Sequence, residues 1–145
     1  MKALIQRVKE ASVTIDGQLY SNIGYGLLVF LGVEKGDEKI NAEKLAEKIV
    51  NLRIFEDDND KMNLSVKDVK GEILIVSQFT LCGDCKKGTR PSFDKSAPLD
   101  IANSLYEYFT ERVQLSGLSV KTGKFRAMMD VALINDGPVT FMIEK

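Results

Sequence analysis

The chain has no histidine among its 145 residues. Histidine is the commonest general base near neutral pH, so its absence excludes Ser-His-Asp and Cys-His catalytic arrangements. It also excludes metal sites that depend on imidazole ligands. If the protein is an enzyme, its proton transfers must use carboxylates, lysine, tyrosine, backbone groups, water or the substrate itself.

Long apolar stretches and a strong net charge are also missing. No run approaches the roughly 18 residues of a membrane span, and the opening MKALIQRVKE lacks the apolar stretch of a signal peptide. We therefore expect a cytoplasmic protein with no membrane partner. Because the net charge is only −1, any contact with nucleic acid must come from a local basic patch. The length predicts a single domain over residues 1–145.

Cysteine is scarce, and the two present, Cys82 and Cys85, are spaced as C-x-x-C. This spacing is compatible with a redox pair or half of a zinc site. Zinc would need two further ligands from carboxylates, and no thioredoxin-type βαβ opening precedes the pair. We interpret them as two reduced thiols in a loop. The acidic DDND segment lacks the glycine that a calcium loop requires, so Glu56 to Gly71 is predicted to be a solvated connection.

Hydrophobic periodicity predicts two helices among seven or more strands. A first helix should start from an N-cap at Asp37, and a second should run from Leu99 to near Gly117. A hairpin turn is expected at Asp16-Gly17. The predicted strands are LIQRVK, ASVTID, QLYSNIG, LLVFLGV, EILIVSQFTL, SVKTG, MMDVALI and VTFMIE. Together they indicate one α/β domain with both helices stacked on sheet.

Two polar segments lie at and after the end of the predicted strand EILIVSQFTL. Ser77-Gln78-Phe79-Thr80 places two hydroxyls and an amide where a buried strand ends, which is a common position for sites. A strand end satisfied by local hydrogen bonds is the alternative, and no histidine is available to activate either hydroxyl. Lys86, Lys87 and Arg90 form a short basic loop that is either a phosphate contact or simply solvated.

The Gly137-Pro138 pair interrupts an apolar C-terminal segment, with VALI before it and VTFMI after it. Proline cannot donate to a sheet ladder and is normally kept out of a strand interior. One interpretation is a tight turn between two C-terminal strands. The other is a cis bond that exposes rigid backbone carbonyls without side chains in the way.

The combination of SQFTL, GD-x-x-KG-x-RPSF, LY-x-x-F, TG-x-F and NDGPVT, in this order, closely resembles the D-aminoacyl-tRNA deacylase family. The resemblance covers essentially the whole chain. Two local departures are the cysteines of CGDC and Arg126, which stands where a small residue is common. Neither departure touches SQFT or Gly-Pro.

The resemblance implies a homodimeric hydrolase with layered, mostly antiparallel, barrel-like sheets, without cofactor or metal. Its substrate would be D-aminoacyl-tRNA, with the 2′-hydroxyl of the tRNA assisting the reaction. The SQFT motif of one chain would face Gly-cisPro of the other, which would exclude L side chains. Since glycine has no side chain to exclude, glycyl-tRNA is expected to be a substrate as well.

Carried over residue by residue, the resemblance implies a catalytic site at Ser77, Gln78, Phe79 and Thr80, a chiral gate at Gly137 and Pro138, and a pocket wall at Ala102 and Phe125. With a tRNA substrate, the basic loop of Lys86, Lys87 and Arg90 becomes the expected tRNA contact. Two alternatives from other functional classes are a non-catalytic tRNA-binding module and a redox protein that uses Cys82 and Cys85.

Overall fold

Eight strands and two α-helices form the chain in a computed structural model, which describes residues 1–145. In chain order they are β1 (Lys2–Ile15), β2 (Gln18–Ile23), β3 (Gly26–Gly32), α1 (Lys39–Val50), β4 (Phe55–Glu56), β5 (Met62–Leu64), β6 (Glu72–Ser77), α2 (Leu99–Gln114), β7 (Ser119–Thr122) and β8 (Asp130–Glu144). A 3₁₀ helix, Phe79–Cys82, follows β6. Neither α1 nor α2 has the length and apolar character needed to cross a membrane.

Six of the strands form one mixed sheet around the long strand β1. Strands β2, β3 and β8 are antiparallel to β1, whereas β3–β6 and β6–β7 are parallel pairs. The parallel pairs arise because α1 and α2 are the crossover connections between their strands. At the far edges, the Ser21 hydroxyl of β2 donates to the Thr122 carbonyl of β7 at 2.8 Å. The sheet therefore curls until its edges nearly meet.

This architecture confirms the α/β class, the two helices and the barrel-like shape. It corrects the expectation of separate layered sheets, because one sheet curls upon itself and only the short pair β4–β5 lies outside it. The parallel pairs were not predicted. Antiparallel pairing nevertheless predominates, since β1 pairs in that sense with three strands.

The core has two parts, one on each face of β3 and β6. Ile73 and Ile75 face the larger cluster, which both helices cover, whereas Leu74 and Val76 face a smaller cluster inside the curl. Successive residues of a strand point to opposite faces, so a strand buried on both faces needs a continuous apolar run. This confirms the buried strands predicted from LLVFLGV and EILIV.

The first two predicted strands are in fact one. β1 continues from Lys2 to Ile15, and its alternation of buried and exposed residues breaks only between Arg7 and Glu10. At this point the pairing with β8 shifts register. The irregularity of the ladder, rather than an end of the strand, produced the interruption in the sequence pattern.

Two further boundaries also differ from the predictions. The N-cap of α1 is Glu38, whose backbone N–H is bonded at 2.9 Å to the side chain of Asn41. Asp37 instead accepts the N–H of Glu34 at 2.6 Å. In the polar connection that was expected to be only a loop, Met62–Leu64 forms β5 and pairs with β4.

The alternative of a tight turn at Gly137-Pro138 is wrong. Both flanks of the pair belong to β8, and both pair with the same neighbour, β1. Asn135 lies opposite Val8, and Thr140 lies opposite Gln6, so the segment between them bulges from a strand that continues in one direction. Proline is tolerated there because a bulge removes it from the ladder.

Candidate active site

The Ser77–Thr80 segment is fixed where β6 leaves the core. Val76 and Cys82, which flank it, are both buried. The Gln78 N–H donates to the Leu31 carbonyl of β3 at 2.8 Å, and the chain then turns into the 3₁₀ helix. Anchored at both ends, the segment presents its polar groups from a well-packed support.

The hydroxyls of this segment have no base beside them. The Gln78 amide donates to the Thr80 hydroxyl oxygen, and Ser77 has no side-chain hydrogen bond in the chain. No carboxylate, lysine or tyrosine contacts either hydroxyl through a hydrogen bond. Neither hydroxyl is therefore activated as a nucleophile within the chain.

An open groove of about 410 Å³ lies beside the segment. Phe79 forms part of its wall, is 57% exposed, and packs at 5.0 Å against the ring of Phe93. Met128, on the other side, is 90% exposed. The complete lining is Val76, Ser77, Gln78, Phe79, Leu99, Arg126, Ala127, Met128, Met129 and Val131. Such a surface can hold a flat apolar group beside the polar strand end.

Apart from Ser77, Gln78, Phe79 and the preceding Val76, the other six lining residues were not predicted from the sequence as site residues. Leu99 begins α2, and the other missed residues lie in or after the turn that precedes β8. Met128 and Met129 were predicted to start a strand, but β8 begins only at Asp130. This turn follows β7, which pairs in parallel with β6, and the Gly123 N–H donates to the Ile75 carbonyl at 2.9 Å, so the turn lies beside the end of β6. No periodicity in the sequence predicts that pairing.

Ala102 and Phe125, expected at the pocket wall, lie elsewhere in the isolated chain. Both are half-buried and pack against the larger core cluster. The ring of Phe125 lies 5.8 Å from that of Tyr106. Neither residue is among those that line the groove.

The Gly137-Pro138 segment is held from below by a buried guanidinium. The peptide bond is cis, and both residues are exposed. Arg7 is only 2% exposed; its Nη1 donates to the Ile54 carbonyl at 2.8 Å. Its Nε lies 2.8 Å from a carboxylate oxygen of Asp136, close enough for an ion pair although not aligned as a hydrogen bond.

The amide of Asn135 fixes the same segment from within β8. Its Nδ2 donates to the Arg7 carbonyl at 2.9 Å and to the Val139 carbonyl at 3.2 Å. Asn135 is thus tied to β1 and, across Gly137-Pro138, to Val139. The backbone that the pair exposes is fixed by side chains that lie beneath it.

The two segments do not meet within one chain. Ser77 lies opposite Leu31 of β3, and Leu31 lies opposite Ala3 of β1. Gly137-Pro138 lies on the other edge of β1, level with Gln6 to Val8. Strand spacing and rise place the two segments on the order of 20 Å apart along the sheet. The groove beside Ser77–Thr80 accordingly contains neither Gly137 nor Pro138.

The basic loop projects from the end of the 3₁₀ helix. Lys86, Lys87 and Arg90 are all exposed, and none forms an ion pair in the chain. Asp84 and Ser92 close the loop at its base through backbone hydrogen bonds of 2.8 and 3.0 Å. The N–H of Lys86 holds the pKa of the Asp84 carboxyl below its usual range. Asp84 remains ionised, but three cations beyond it are available to an anionic partner.

The cysteines occupy different environments and are both free thiols. Cys82 is 1% exposed, which corrects its prediction as a loop thiol, whereas Cys85 is exposed in the loop. Burial raises the pKa of the Cys82 thiol, so the thiolate needed for exchange is disfavoured. No three Cys, Asp or Glu side chains are grouped as a metal site would require.

Comparisons with known protein sequences all identify the same family. The model of the D-Tyr-tRNA(Tyr) deacylase family matches residues 4–144. A D-aminoacyl-tRNA deacylase of Geotalea daltonii is 62% identical over 144 residues, spanning 99% of this chain and 96% of the relative. The D-aminoacyl-tRNA deacylase of Thermodesulfovibrio yellowstonii is 58% identical, spanning 99% of this chain and 98% of its own.

Solved structures agree on the fold. A c-Myc DNA unwinding element binding protein superposes with a TM-score of 0.94 at 44% identity, covering 100% of this chain and 99% of its own. A probable eukaryotic D-amino acid tRNA deacylase superposes with a TM-score of 0.84 at 17% identity, covering 99% of this chain and 98% of its own. At that identity the second likeness concerns the fold alone.

Proposed function

The chain belongs to the D-Tyr-tRNA(Tyr) deacylase family, and from this premise we propose that it hydrolyses the ester joining a D-amino acid or glycine to the terminal adenosine of tRNA. At the coarser level it is a D-aminoacyl-tRNA deacylase, a hydrolase of translation quality control. The observation that carries the finer proposal is the groove beside Ser77–Thr80, which offers hydroxyl, amide and backbone groups without a general base.

The reaction requires little chemical activation from the protein. An aminoacyl ester is already reactive, so catalysis depends mainly on positioning and on stabilising the developing oxyanion. Phe79 and Thr80 open the 3₁₀ helix, where backbone N–H groups precede the first intrahelical bond. We assign them to the scissile carbonyl, with Ser77 and Gln78 orienting the substrate.

The tRNA supplies the remaining proton transfer in this proposal. Its 2′-hydroxyl is adjacent to the 3′-ester, whereas the hydroxyls of Ser77 and Thr80 have no basic partner in the chain. A group held beside the ester by covalent structure needs no further positioning by the enzyme. Water then releases the free amino acid and leaves the tRNA intact.

Selection against L-amino acids is assigned to Gly137-Pro138 of a second copy of the chain. Within one chain the pair lies on the order of 20 Å from Ser77–Thr80 by strand spacing and rise, so it must reach the groove in trans. β8, which carries the pair, also exposes Ile134, Phe141 and Met142. Apolar residues exposed along an edge strand support burial against another copy. These observations support a homodimer with both sites at its interface.

The remaining assignments concern the periphery of the site. Lys86, Lys87 and Arg90 are proposed to contact tRNA phosphates, since they are exposed and free of ion pairs. Ala102 and Phe125 are proposed to support the pocket wall from behind, since both pack on the core under α2. The whole of residues 1–145 acts as one domain in this proposal.

The direct experiment is incubation of the protein with D-tyrosyl-tRNA and measurement of free D-tyrosine. A deacylase releases it, whereas a non-catalytic tRNA-binding module would protect the ester against spontaneous hydrolysis. Replacement of Cys82 and Cys85 by serine separates the redox alternative. Release of D-tyrosine should survive this replacement, and its loss in a folded variant would contradict the assignment.

A further inference from the structure

Arg126 has a backbone conformation that disfavours its side chain. It lies in the turn between β7 and β8, where the Ala127 N–H donates to the Lys124 carbonyl at 3.1 Å. Its φ is +63°, in the left-handed region that glycine occupies readily and that residues with a Cβ avoid. Unfavourable backbone conformations that persist in a fold often accompany function. The position therefore invites a functional explanation for the arginine.

The surroundings of Arg126 supply a functional explanation. It is the only charged residue that lines the groove beside Ser77–Thr80. The side chain is exposed and takes part in none of the ion pairs of the chain. An uncompensated guanidinium thus lies at the rim of an otherwise uncharged, largely apolar groove.

The chemistry of the substrate indicates what this guanidinium would bind. Guanidinium groups form paired, charge-assisted hydrogen bonds with phosphate oxygens. The apolar lining suits an adenine base, and the ester at the 3′ end belongs beside Ser77–Thr80. The one charge that every tRNA carries on its terminal nucleoside is the phosphodiester on the 5′ oxygen. Arg126, Ser77, Gln78 and Phe79 line the same groove, whose volume of about 410 Å³ is enough for about one nucleoside.

We propose that Arg126 binds the phosphodiester linking the terminal adenosine to the preceding nucleotide, and thereby positions the ester against Ser77–Thr80. The inference rests on the proposed deacylase function and adds a specific recognition contact to it. Arg126 is a positioning residue here, since it bonds the substrate away from the reacting atoms.

The test compares two minimal substrates that differ by this phosphate. One is the D-tyrosyl ester of adenosine; the other is the D-tyrosyl ester of the dinucleotide cytidylyl-adenosine. Both are measured with the wild type and with Arg126→Gly, Arg126→Lys and Lys124→Ala. Lys124 is an exposed cation of the same turn that does not line the groove. Glycine suits the positive φ, so Arg126→Gly should melt at the same or a higher temperature than the wild type.

The wild type should hydrolyse the dinucleotide ester at least about 10-fold faster in kcat/KM, the value of one strong charge-assisted contact. Arg126→Gly should slow hydrolysis of the dinucleotide ester far more than that of the adenosine ester and so remove the advantage, Arg126→Lys should keep part of it, and Lys124→Ala should keep all of it. An advantage that persists in Arg126→Gly, or an equal loss on both esters, would overturn the proposal. A loss confined to esters of D-aspartate and D-glutamate would also overturn it and assign Arg126 to the amino acid.

If the wild type cleaved neither ester and also released no D-tyrosine from D-tyrosyl-tRNA, the deacylase proposal would be the one that failed. Calorimetric binding of unesterified cytidylyl-adenosine against adenosine would then test Arg126 by itself. Tighter binding of the dinucleotide by the wild type, lost in Arg126→Gly, would support the phosphate contact. Equal binding of the two ligands would contradict it.

Discussion

The Ser77–Thr80 and Gly137-Pro138 segments interrupt two strands of the same sheet in opposite ways. Ser77–Thr80 ends β6 and offers side-chain hydroxyls, an amide and the aromatic ring of Phe79 over a packed interior. Gly137-Pro138 lies within β8 and offers backbone and the proline ring, without any polar side chain. The first segment can bond a substrate, whereas the second can only shape the space around one.

The difference extends to how each segment is supported. Behind Ser77–Thr80 lie buried apolar residues, Val76 and Cys82. Behind Gly137-Pro138 lies the charged side chain of Arg7, held by Ile54 and Asp136. A surface that binds substrate through hydrogen bonds tolerates small displacements of its atoms, but a surface that excludes a side chain sterically must be rigid. A directional network beneath the second segment is consistent with selection by shape.

The largest loss of hydrolysis rate in an altered system should result from a change in the tRNA and not from a substitution in Ser77–Thr80. A 2′-deoxy tRNA carrying D-tyrosine on the 3′ oxygen should be hydrolysed about 10³-fold more slowly than the ordinary substrate, since assistance of this kind contributes 10²–10⁴-fold. Thr80→Ala should retain kcat/KM within about 10-fold, because no base activates its hydroxyl. Single-turnover rates check both. Equal rates on the two tRNAs, or an inactive yet folded Thr80→Ala, would restore a protein nucleophile.

The support beneath Gly137-Pro138 can be removed by replacing Arg7. Arg7→Ala leaves the Asp136 carboxylate and the Ile54 carbonyl without their partner, which should lower the free energy of unfolding by about 3 kcal/mol. Among molecules that remain folded, discrimination between D- and L-tyrosyl-tRNA should fall. Urea unfolding and the two rates measure these effects. Lys9→Ala, at an exposed neighbour on β1, is the control and should change little.

The second segment can also be altered without disturbing the fold. A Cβ added at Gly137 would meet only the Asn135 side-chain oxygen, at an ordinary 3.5 Å. Gly137→Ala should therefore unfold within about 0.5 kcal/mol of the wild type. Its added methyl would enter the space of the substrate, so D-tyrosyl-tRNA turnover should fall about 100-fold, or ~2.7 kcal/mol.

Gly24→Ala is the matched control for Gly137→Ala. Its Cβ would lie 3.6 Å from a carboxylate oxygen of Glu72, again an ordinary contact. The control should keep both stability and activity. Full activity in Gly137→Ala would show that this backbone does not border the bound substrate.

A smaller effect is expected at the basic loop, which we propose contributes to tRNA binding and not to selection between D and L substrates. Replacement of Lys86, Lys87 and Arg90 by alanine should weaken tRNA binding and flatten its dependence on salt by up to about 0.9 units of slope per lost phosphate contact. The ratio of D- to L-tyrosyl hydrolysis should not change. Lys44→Ala with Lys48→Ala, on α1, is the control. An unchanged slope would leave the loop as a solvated surface.

The sequence predicted those parts of the fold that depend on local pattern. The apolar stripes of α1 and α2 and the continuous runs of β3 and β6 report burial directly. The continuity of β1 and β8 was missed because register shifts depend on the partner strand. SQFT and Gly-Pro were identified through resemblance, since a strand end or a proline alone has ordinary structural explanations.

The groove was beyond prediction for a related reason. Arg126 and Met128 reach the end of β6 because their turn follows β7, which pairs in parallel with β6. The pairing of two strands that are distant in the chain is not encoded in the periodicity of either strand. Motifs therefore indicated which residues matter, whereas topology decides which of them share a site.

The most direct test of exclusion by Gly137-Pro138 compares wild-type rates on glycyl-, D-tyrosyl- and L-tyrosyl-tRNA under identical conditions. Glycine has no side chain to collide with the backbone, so glycyl- and D-tyrosyl-tRNA should both be hydrolysed. L-tyrosyl-tRNA should be spared by about 10⁴-fold, which corresponds to about 5.4 kcal/mol of differential transition-state energy. Rapid hydrolysis of D-tyrosyl-tRNA with complete resistance of glycyl-tRNA would contradict exclusion and indicate positive recognition of the D side chain.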